Sequence, residues 1–450
     1  MDREVTLPDM LSAREQRAMR QSQLLKEYKL PLVSFSMNIA GPIKNGPVIR
    51  RAFSEGMNRL HDALRAGRAE IKHQERIDRH TGCEALLVIA GDEQALKRLC
   101  VSLEDQDPLG RLFDMDVLSP IGEKLEREAL GFAPRPCLVC GKEGKSCSSR
   151  RLHSVEELQV KTGDILRRFF SQKDADVLAS QAQRALLYEV CVSPKPGLVD
   201  RFNSGSHQDM DIFTFMDSAA SLLPYLRRAV TLGMETASLR AGESFLLLRR
   251  EGLAAEREML RATKGVNTHK GAVFSLGTAC CAAGRLWTPE LPWANPEDIL
   301  KACSLMYKEE EIRDFAAIRE GRADTAGQRL FLQQGLRGIR GELAQGLPSV
   351  RDIGLPTLHQ AMEAGANLED AGLAVLAQLM AQVTDTNLLS RGGTEGQLWT
   401  AQAAAELSSP VPGKEELKAL DQEMISRRLS PGGCADLLAI TYFLYFISVL

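Results

Sequence analysis

The sequence predicts two domains: an N-terminal α+β domain with a mixed sheet, and a C-terminal domain that is mostly all-α. Apolar and polar residues alternate at 33–39 and again at 113–117, which is the period of a half-buried strand. From about residue 174 onward, Ala, Leu, Arg and Glu dominate and apolar residues recur at helical spacing, as at Leu222 and Leu226. The 450 residues are enough for two such hydrophobic cores.

The first helix and the first strand follow from local patterns. Ser12 and Glu15 have capping-box spacing, which predicts a helix that begins at Ser12 and runs to about Tyr28. The alternating strand comes next, and Gly41-Pro42 ends it.

Two more strands and a domain boundary are predicted downstream. Residues 86–90 form an apolar run, and residues 112–118 repeat the alternation. No linker rich in Pro, Gly or Ser separates the halves of the chain. We therefore expect two closely joined domains, at residues 1–172 and 173–450.

The charges of the chain almost balance. Lys and Arg number 56 and Asp and Glu number 59, so the formal net charge is −3 and bulk attraction to nucleic acid or to an acidic membrane is not expected. The charged N-terminus does not read as a signal peptide, and the strongly apolar stretch of 14 residues at 437–450 is shorter than the roughly 20 residues that span a bilayer. We expect a cytoplasmic protein with a buried last helix, whose ten cysteines are thiols or metal ligands.

An acidic pair marks the last predicted strand. The apolar residues of this strand fall on one face, and Asp114 and Asp116 fall on the other, about 7 Å apart along the chain. Two such carboxylates can share Mg²⁺ on a triphosphate during phosphoryl or nucleotidyl transfer. The same spacing is also typical of an amphipathic strand whose polar face meets water.

Basic residues of the N-terminal half are candidates for binding phosphate. Arg14, Arg17 and Gln21 fall on one side of the first helix, and Lys44 follows the Gly41-Pro42 turn. Taken singly, each basic residue also fits a solvated surface charge.

A cluster of thiols follows the acidic strand. Within 17 residues the chain offers the ligand types of a tetrahedral zinc site, at Cys137, Cys140, Cys147 and His153. The sequence between them has almost nothing apolar to bury, so a structural metal ion would explain how it becomes ordered. The alternative is four unrelated side chains in a flexible loop.

The segment 193–211 gathers many potential ligands ahead of an apolar helix, which favours a substrate loop over a simple connector. Its basic side chains suit phosphate and its carboxylates suit magnesium. The candidates are Lys195, Asp200, Arg201, Asn203, His207, Asp209 and Asp211. An ordinary polar turn is the alternative.

Later stretches place similar residues at predicted helix starts, where free amides and the helix dipole favour an anion. They lie in the sequences GVNTHKG, DTNLLSRGG and SPGGCAD. The candidates are Asn267, His269, Lys270, Asp385, Asn387, Arg391 and Asp436. His269, taken alone, also fits a satisfied structural histidine.

These motifs together resemble two enzyme families. PLVSFSMNIAGPIKNG, PLGRLFDMDVLSPIGE and the Cys/His segment resemble the apo-citrate lyase phosphoribosyl-dephospho-CoA transferase family, over about residues 8–160. SPKPGLVDRFNSGSHQDMD, RATKGVNTHKGAVFSLG, TAGQRLF…GLRGIRGE, DTNLLSRGG and SPGGCADLL resemble the triphosphoribosyl-dephospho-CoA synthase family, over about 180–445. Cys434 departs from the second pattern, where a small serine is expected.

The resemblance implies a bifunctional transferase that uses ATP and 3′-dephospho-CoA. In the C-terminal half, the 2′-hydroxyl of 3′-dephospho-CoA attacks the anomeric carbon of the ATP ribose and adenine leaves. In the N-terminal half, a serine of the acyl carrier (gamma) subunit of apo-citrate lyase attacks the innermost phosphate of the product, and pyrophosphate leaves. Mg²⁺ is implied as a cofactor, while nucleic acid and membrane are not implied as partners.

The resemblance also implies roles for the candidate residues. Catalytic or Mg²⁺-binding roles fall to Asp114, Asp116, Asp200, His207, Asp209, Asp211 and Asp385. Substrate and phosphate binding fall to Arg14, Arg17, Lys44, Lys195, Arg201, Asn203, Asn267, His269, Lys270, Asn387, Arg391 and Asp436.

Two other functions stay open at this point. The same chemistry could serve malonate decarboxylase, whose carrier bears the same prosthetic group. A zinc-bearing, nucleotide-binding regulator without turnover would need the clustered Asp, Asn and His side chains only to sense a ligand. Release of adenine from ATP and dephospho-CoA distinguishes an enzyme from such a regulator.

Overall fold

A computed structural model describes residues 3–142, 144–321, 323, 325–407 and 411–450 of the chain. The chain divides into two compact units. The first contains Met1–Ser171 with Thr288–Leu291, and the second contains Gln172–Trp287 with Pro292–Leu450. The first combines helices with a small sheet and the second is mostly helical, which confirms the predicted fold class.

The N-terminal unit contains four strands and several helices. In chain order these are α1 (Leu7–Tyr28), β1 (Leu32–Met37), α2 (Pro47–Ala66), β2 (Glu70–Arg79), β3 (Gly82–Ala90), α3 (Glu93–Asp105), β4 (Phe113–Leu118), α4 (Gly144–Ser149) and the first part of α5 (Val155–Cys191). The strand order is β2-β3-β1-β4. Every neighbouring pair is antiparallel, where a mixed sheet was expected, and a two-residue turn between β2 and β3 requires this arrangement for that pair.

One face of the sheet packs on α2. Phe35 of β1 is buried there, and its ring stacks on Phe53 of α2 with centroids 4.8 Å apart. Phe113 of β4 meets the ring of Phe35 edge-on at 5.4 Å. Gly56 allows the close approach of α2, because a Cβ at this position would lie 2.5 Å from Cζ of Phe35.

The other face of the sheet lies under α1 and is apolar at one end. Leu32 pairs with Val88 across β1 and β3, and both pack against Leu24 and Leu25 of α1. The opposite end of this face is polar, and the first half of α1 runs along it. Helix α1 thus seals the sheet at one end and leaves a lined cavity at the other.

Two local features of this unit differ from the sequence prediction. Helix α1 begins at Leu7 rather than at Ser12, because Thr6 and Asp9 form the capping box. Ser12 lies inside the helix, where its hydroxyl accepts a hydrogen bond from Gln16 at 3.2 Å. Strand β2 was not predicted, because its polar sequence offers no apolar alternation.

The C-terminal unit is built from helices, and its described residues contain no strand. After the end of α5 come α6 (Ile212–Glu235), α7 (Ala241–Ala262), α8 (Lys270–Leu286), α9 (Pro296–Glu320), α10 (Ala326–Gln334), α11 (Gly338–Ala344), a π-helical turn (Ser349–Gly354), α12 (Leu355–Glu363), α13 (Leu368–Gln382), α14 (Thr386–Ala405), α15 (Lys414–Ser426) and α16 (Gly432–Ser448). Helices α8 and α16 are buried along most of their length, which confirms the prediction of a buried last helix. Within the described ranges, no helix is both long and apolar enough to cross a membrane.

Candidate active sites

A cleft of about 720 Å³ opens in the C-terminal unit. Helices α8, α10, α11, α14 and α16 all begin at its wall. The first amides of a helix have no partner inside the helix, and they lie at the positive end of its dipole. Several such ends around one cleft favour a polyphosphate ligand.

Nine of the residues singled out in the sequence line this cleft. They come from the segment 193–211, called the substrate loop after the sequence prediction, and from the starts of α8, α14 and α16, which are far apart in the chain. They are Lys195, His207, Asn267, His269, Lys270, Asp385, Asn387, Arg391 and Asp436. The fold therefore gathers most of the candidates of this unit.

Five candidates of the substrate loop do not line the cleft, namely Asp200, Arg201, Asn203, Asp209 and Asp211. Asp200 is buried, and its carboxylate accepts hydrogen bonds from the backbone amides of Lys195 at 2.8 Å and Phe202 at 2.6 Å. Its carboxylate therefore holds the turn that carries Lys195.

The other four have contacts elsewhere or face solvent. Arg201 forms an ion pair with a glutamate of α13. The side-chain amide of Asn203 donates to Asp421 at 2.8 Å. Asp211 caps α6, and Asp209 is exposed.

His207 lies at the cleft between two polar groups. Its Nε2 atom is 2.9 Å from Oγ of Ser430, and the guanidinium of Arg391 donates to its Nδ1 at 3.3 Å. Burial lowers the pKa of His207, and the charge of Arg391 lowers this pKa further. The ring is therefore neutral near neutral pH, and Arg391 supplies the positive charge beside it.

His269 is the residue before α8 and is buried at the cleft. Its Nδ1 atom is 2.7 Å from Oγ of Ser218, and its ring meets Phe215 edge-on at 5.0 Å. Its Nε2 atom is buried without a hydrogen-bond partner. Burial, with a smaller effect of the Lys195 charge, lowers the pKa of His269 to about 3.

Asp385 joins the starts of two helices. One carboxylate oxygen caps α14 by accepting from the amide of Asn387 at 2.6 Å, and the other accepts from the amide of Cys434 in α16 at 2.9 Å. Burial raises the pKa of Asp385, whereas these amide hydrogen bonds lower it. Because the backbone amide of Cys434 makes this contact, a serine at this position could make it as well.

Asp436 faces the start of α8. A Cβ at Gly271 would lie 1.9 Å from Oδ2 of Asp436, so any larger residue there would displace this carboxylate. Within the described part of the chain, Asp436 has no hydrogen-bond or ion-pair partner. Burial raises the pKa of Asp436 well above its ordinary value, and the nearby charges of Glu189 and Asp385 add to the increase.

The sequence interpretation missed five charged residues of the cleft, namely Glu189, Glu256, Arg337, Arg340 and Glu342. Glu189 forms a buried ion pair with Lys195, and Glu256 lies 3.1 Å from Nζ of Lys270. Glu189 and Glu256 occur in helices without a local motif, whereas Glu342 is the last residue of the GLRGIRGE stretch. The two arginines lie in the GLRGIRGE stretch, which was noted as a family motif but given no role.

The N-terminal unit has its own cavity, of about 400 Å³, at the polar end of the sheet. All five candidates of this unit for binding a triphosphate and its Mg²⁺ line it, namely Arg14, Arg17, Lys44, Asp114 and Asp116. Lys44 also donates to the carbonyl of Ile39, and burial lowers its pKa. The arginines of α1 thus lie across one cavity from the carboxylates of β4.

A third carboxylate of this cavity, Glu84, was not predicted. The strand register places Glu84 of β3, Ser36 of β1 and Asp114 of β4 side by side in one row of the sheet. Arg17 forms an ion pair with Glu84 at 3.1 Å, and burial raises the pKa of Glu84. Because it lies at one polar position of an apolar strand, Glu84 gave no separate sequence signal.

Each aspartate of β4 has a basic neighbour. Nζ of Lys124 lies 2.7 Å from Asp116, and the guanidinium of Arg135 lies 3.7 Å from Asp114. Burial raises the pKa of Asp114, and the charge of Asp116 raises it further.

The four candidate metal ligands of the N-terminal unit also meet. The ligand atoms of Cys137, Cys140, Cys147 and His153 all lie within 4.8 Å of one another. The sulfurs of Cys140 and Cys147 are 3.5 Å apart. Nε2 of His153 is buried without a hydrogen-bond partner.

Comparison with known proteins agrees with the division of the chain into two units. The family model "ATP:dephospho-CoA triphosphoribosyl transferase" matches residues 175–450, and the model "Apo-citrate lyase phosphoribosyl-dephospho-CoA transferase" matches residues 5–169. "Protein CitXG" of Leuconostoc mesenteroides subsp. cremoris is 36% identical over 457 residues, which cover 98% of this chain and 97% of the relative. The chain belongs to the CitXG family.

Other relatives match the whole chain or its second unit. The CitXG protein of Haemophilus influenzae is 36% identical over 455 residues, covering 98% of this chain and 96% of its own length. The "2-(5''-triphosphoribosyl)-3'-dephosphocoenzyme-A synthase" of Pectobacterium atrosepticum is 40% identical over 279 residues, covering 62% of this chain and 91% of its own. The order of the two units in this chain is therefore that of the CitXG family.

Proposed function

We propose that this chain synthesises the prosthetic group of citrate lyase and attaches it to the acyl carrier subunit of the lyase. Residues 173–450 join ATP and 3′-dephospho-CoA with loss of adenine, and residues 1–172 transfer the product to the carrier. Membership of the CitXG family supports this assignment over the full length of the chain. The observation that carries it is one charged cavity in each unit, lined by the residues singled out in the sequence.

In the first reaction, the 2′-hydroxyl of dephospho-CoA forms a bond to the anomeric carbon of the ATP ribose and the bond to adenine breaks. Lys270, Arg391 and the helix starts around the cleft hold the triphosphate. Asp436 accepts the hydroxyl proton, because its carboxylate lines the cleft, has no partner among the described residues and has a raised pKa. The negative charge of the buried carboxylates also stabilises the oxocarbenium-like state of the sugar.

Four loop and helix residues have a supporting role in this proposal. Asp200 and Asp385 are held by backbone amides, so they fix the substrate loop and the helix starts. Neutral His207 positions Arg391 beside the triphosphate. His269 offers its free Nε2 to the bound nucleotide.

In the second reaction, the carrier serine hydroxyl forms a bond to the innermost phosphorus and the bond to the leaving pyrophosphate breaks. The leaving pyrophosphate takes up the serine proton, so Asp114 is free to hold Mg²⁺ together with Asp116. Arg14, Arg17 and Lys44 bind the triphosphate oxygens from the opposite wall of the cavity.

The donor sets fit two kinds of metal ion. Asp114, Asp116 and Glu84 face one cavity, and Mg²⁺ held by such carboxylates neutralises the charge of a bound triphosphate. The Cys/His cluster fits Zn²⁺, because two sulfurs about 2.3 Å from a tetrahedral ion lie about 3.8 Å apart, near the distance seen between Cys140 and Cys147. The buried free Nε2 of His153 is the fourth donor.

The decisive experiment is mass spectrometry of the citrate lyase acyl carrier (gamma) subunit after incubation with this protein, ATP, Mg²⁺ and 3′-dephospho-CoA, with free adenine measured in parallel. We expect adenine release and a carrier mass increased by the prosthetic group. Without adenine release the synthase assignment is wrong. Adenine release with an unmodified carrier would refute the attachment step alone, and a malonate decarboxylase carrier in a parallel reaction tests the choice of partner.

The Asp114→Asn and Asp116→Asn variants separate the two steps within one chain. Both should abolish carrier modification and leave adenine release unchanged, because their side chains line only the N-terminal cavity. Normal carrier modification by both variants would refute the N-terminal site.

A further inference from the structure

Arg135 connects the Cys/His cluster to the carboxylates of the N-terminal cavity. One guanidinium nitrogen lies 3.7 Å from Asp114 and 3.8 Å from the buried Glu104. The other donates to the backbone carbonyl of Phe113, the first residue of β4, at 2.6 Å. A single side chain thus contacts both the backbone and the acidic side chain of the strand that carries the site.

The backbone of Arg135 is fixed from the side of the cluster. Its carbonyl accepts a hydrogen bond from the amide of Gly144 at 3.1 Å. The amide of Cys137 donates to the carbonyl of Lys142 at 2.6 Å, and the amide of Gly141 donates back to the carbonyl of Cys137 at 3.0 Å. Arg135 therefore precedes, by two residues, a tight turn that presents two of the four ligands.

This segment has almost no hydrophobic core of its own. Among the residues of 131–154 whose burial the structure describes, only Cys147 is buried. Ordering a chain costs about 1–2 kcal/mol per residue in backbone entropy, which burial of one thiol does not offset. A metal ion that binds all four ligands supplies the missing stabilisation.

We propose that the metal ion at Cys137, Cys140, Cys147 and His153 holds Arg135 against Asp114, so that carrier modification, but not adenine release, requires this ion. The proposal rests on the proposed function of the N-terminal unit. Arg135 is a positioning residue: it orients the Asp114 carboxylate that faces the triphosphate. Loss of the ion frees the turn, and Arg135 then leaves Asp114.

The metal site is tested first, with the intact protein. We expect about one Zn²⁺ per chain by elemental analysis of the purified protein. Replacement by Co²⁺ should give the intense absorption of a tetrahedral thiolate site. Protein that is folded but binds neither ion, as purified and after reconstitution, would overturn the site.

The coupling is tested by removing and restoring the ion. A chelator should reduce carrier modification, assayed with pre-formed triphosphoribosyl-dephospho-CoA and excess Mg²⁺, by about 10- to 100-fold, the range for loss of groups that orient a ligand carboxylate. Adenine release should be unchanged, and added Zn²⁺ should restore carrier modification. Full carrier modification by the zinc-free protein would overturn the coupling.

Variants distinguish the role of Arg135 from that of the ion. Cys147→Ser should lose Zn²⁺ and show carrier modification reduced by about 10- to 100-fold, whereas Arg135→Ala should keep Zn²⁺ and show a similar reduction. Arg135→Lys should recover part of the rate of carrier modification, since lysine keeps the positive charge but lacks the paired N–H donors of the guanidinium. Cys191→Ser, which removes a partly exposed thiol outside the cluster, is the matched control and should behave as wild type. An Arg135→Ala variant with wild-type rates would overturn the proposal.

These results are separable from the proposed function itself. If the wild-type protein with bound Zn²⁺ never modifies the carrier, the attachment activity is wrong. If the wild-type protein modifies the carrier with or without Zn²⁺, the activity stands and only the coupling fails.

Discussion

Asp436 combines three properties that rarely occur together in one carboxylate. It is partly buried, it has no polar partner in the described part of the chain, and it lies against the start of α8 at Gly271. Taking a carboxylate partly out of water without a partner destabilises a fold, so its presence in a cleft indicates a role in binding or catalysis.

Asp436→Asn should reduce adenine release by about 10²- to 10⁴-fold, the range for loss of a general base. The amide has nearly the same shape but accepts no proton. The measurement is the rate of adenine formation at saturating ATP and dephospho-CoA. Asp217→Asn, an exposed aspartate of α6, is the control and should leave the rate unchanged. Equal rates for the two variants would contradict the assignment of Asp436.

His269 makes the stability of the C-terminal unit depend on pH. Its folded pKa of about 3 lies below the unfolded value of about 6.5, so the unfolded chain binds the proton more tightly. The stability due to neutral His269 is therefore fully present above about pH 6.5 and is lost progressively as the pH falls toward about 3.

Between about pH 7.5 and about pH 5.5, this loss amounts to about 1.4 kcal/mol of unfolding free energy. His269→Asn keeps a polar atom near Ser218. Over the same pH range, its free energy of unfolding should fall by about 1.4 kcal/mol less than that of the wild type. All three tryptophans lie in the C-terminal unit, so tryptophan fluorescence during denaturant unfolding reports this unit. The same change with pH in both proteins would show that His269 is not buried in its neutral form.

At the scale of elements, the start of α8 is fixed by close packing. Gly271→Ala would drive a methyl group into the Asp436 carboxylate, a clash of the kind that costs about 1–3 kcal/mol. We expect a loss of adenine release with normal carrier modification from pre-formed intermediate. Gly242→Ala in α7 is the matched control, because a Cβ there meets nothing within 4 Å. If Gly271→Ala releases adenine at the wild-type rate, the close approach of α8 to Asp436 is wrong.

The start of α1 offers a direct test of structure against sequence. Thr6→Ala removes the hydroxyl that caps the helix and should destabilise its first turns by about 1 kcal/mol. Ser12→Ala, at the start predicted from sequence, should have little effect. Hydrogen exchange measured on peptides of α1 distinguishes them, with exchange about fivefold faster in the Thr6 variant. Faster exchange in the Ser12 variant than in the Thr6 variant would instead support a helix that begins at Ser12.

The sequence predicted elements well where one strong pattern acts locally. The alternation in β4 placed Asp114 and Asp116 on one face, and the structure has its apolar residues buried and both aspartates half-buried. The sequence did not predict β2, because pairing with β3 in a hairpin, rather than burial of apolar residues, holds that polar strand in place.

The cleft shows why residue types alone predict a site only in part. Asp200 and Asp385 are both aspartates in polar motifs, yet only Asp385 lines the cleft, since backbone amides draw Asp200 into a turn. Glu189 and Arg337 reach the cleft from separate helices, and no spacing of residues in the sequence indicates that they line the same site. Long-range packing decides these positions.

At the scale of the whole molecule, the two cavities have no lining residue in common. Every residue that lines the C-terminal cleft belongs to the second unit, and every residue that lines the N-terminal cavity belongs to the first. Each unit thus holds the side chains proposed for its own reaction.

A mixture of two inactive chains should therefore be active. Asp114→Asn protein supplies the intermediate and Asp436→Asn protein transfers it, so together they should modify the carrier after a lag while the intermediate accumulates. The measurement is a time course of carrier mass, with each variant alone as the control. No modification by the mixture, with both variants folded, would contradict the independence of the units.

The distribution of the thiols offers a practical consequence. Seven of the ten cysteines are buried, and outside the Cys/His cluster only Cys191 is even partly exposed. An alkylating reagent added to native protein will therefore react first at Cys137 and Cys140, unless an ion shields them. The rate of labelling at these two cysteines therefore measures how much of the protein holds a metal ion. Peptide mapping can follow it in an unpurified extract.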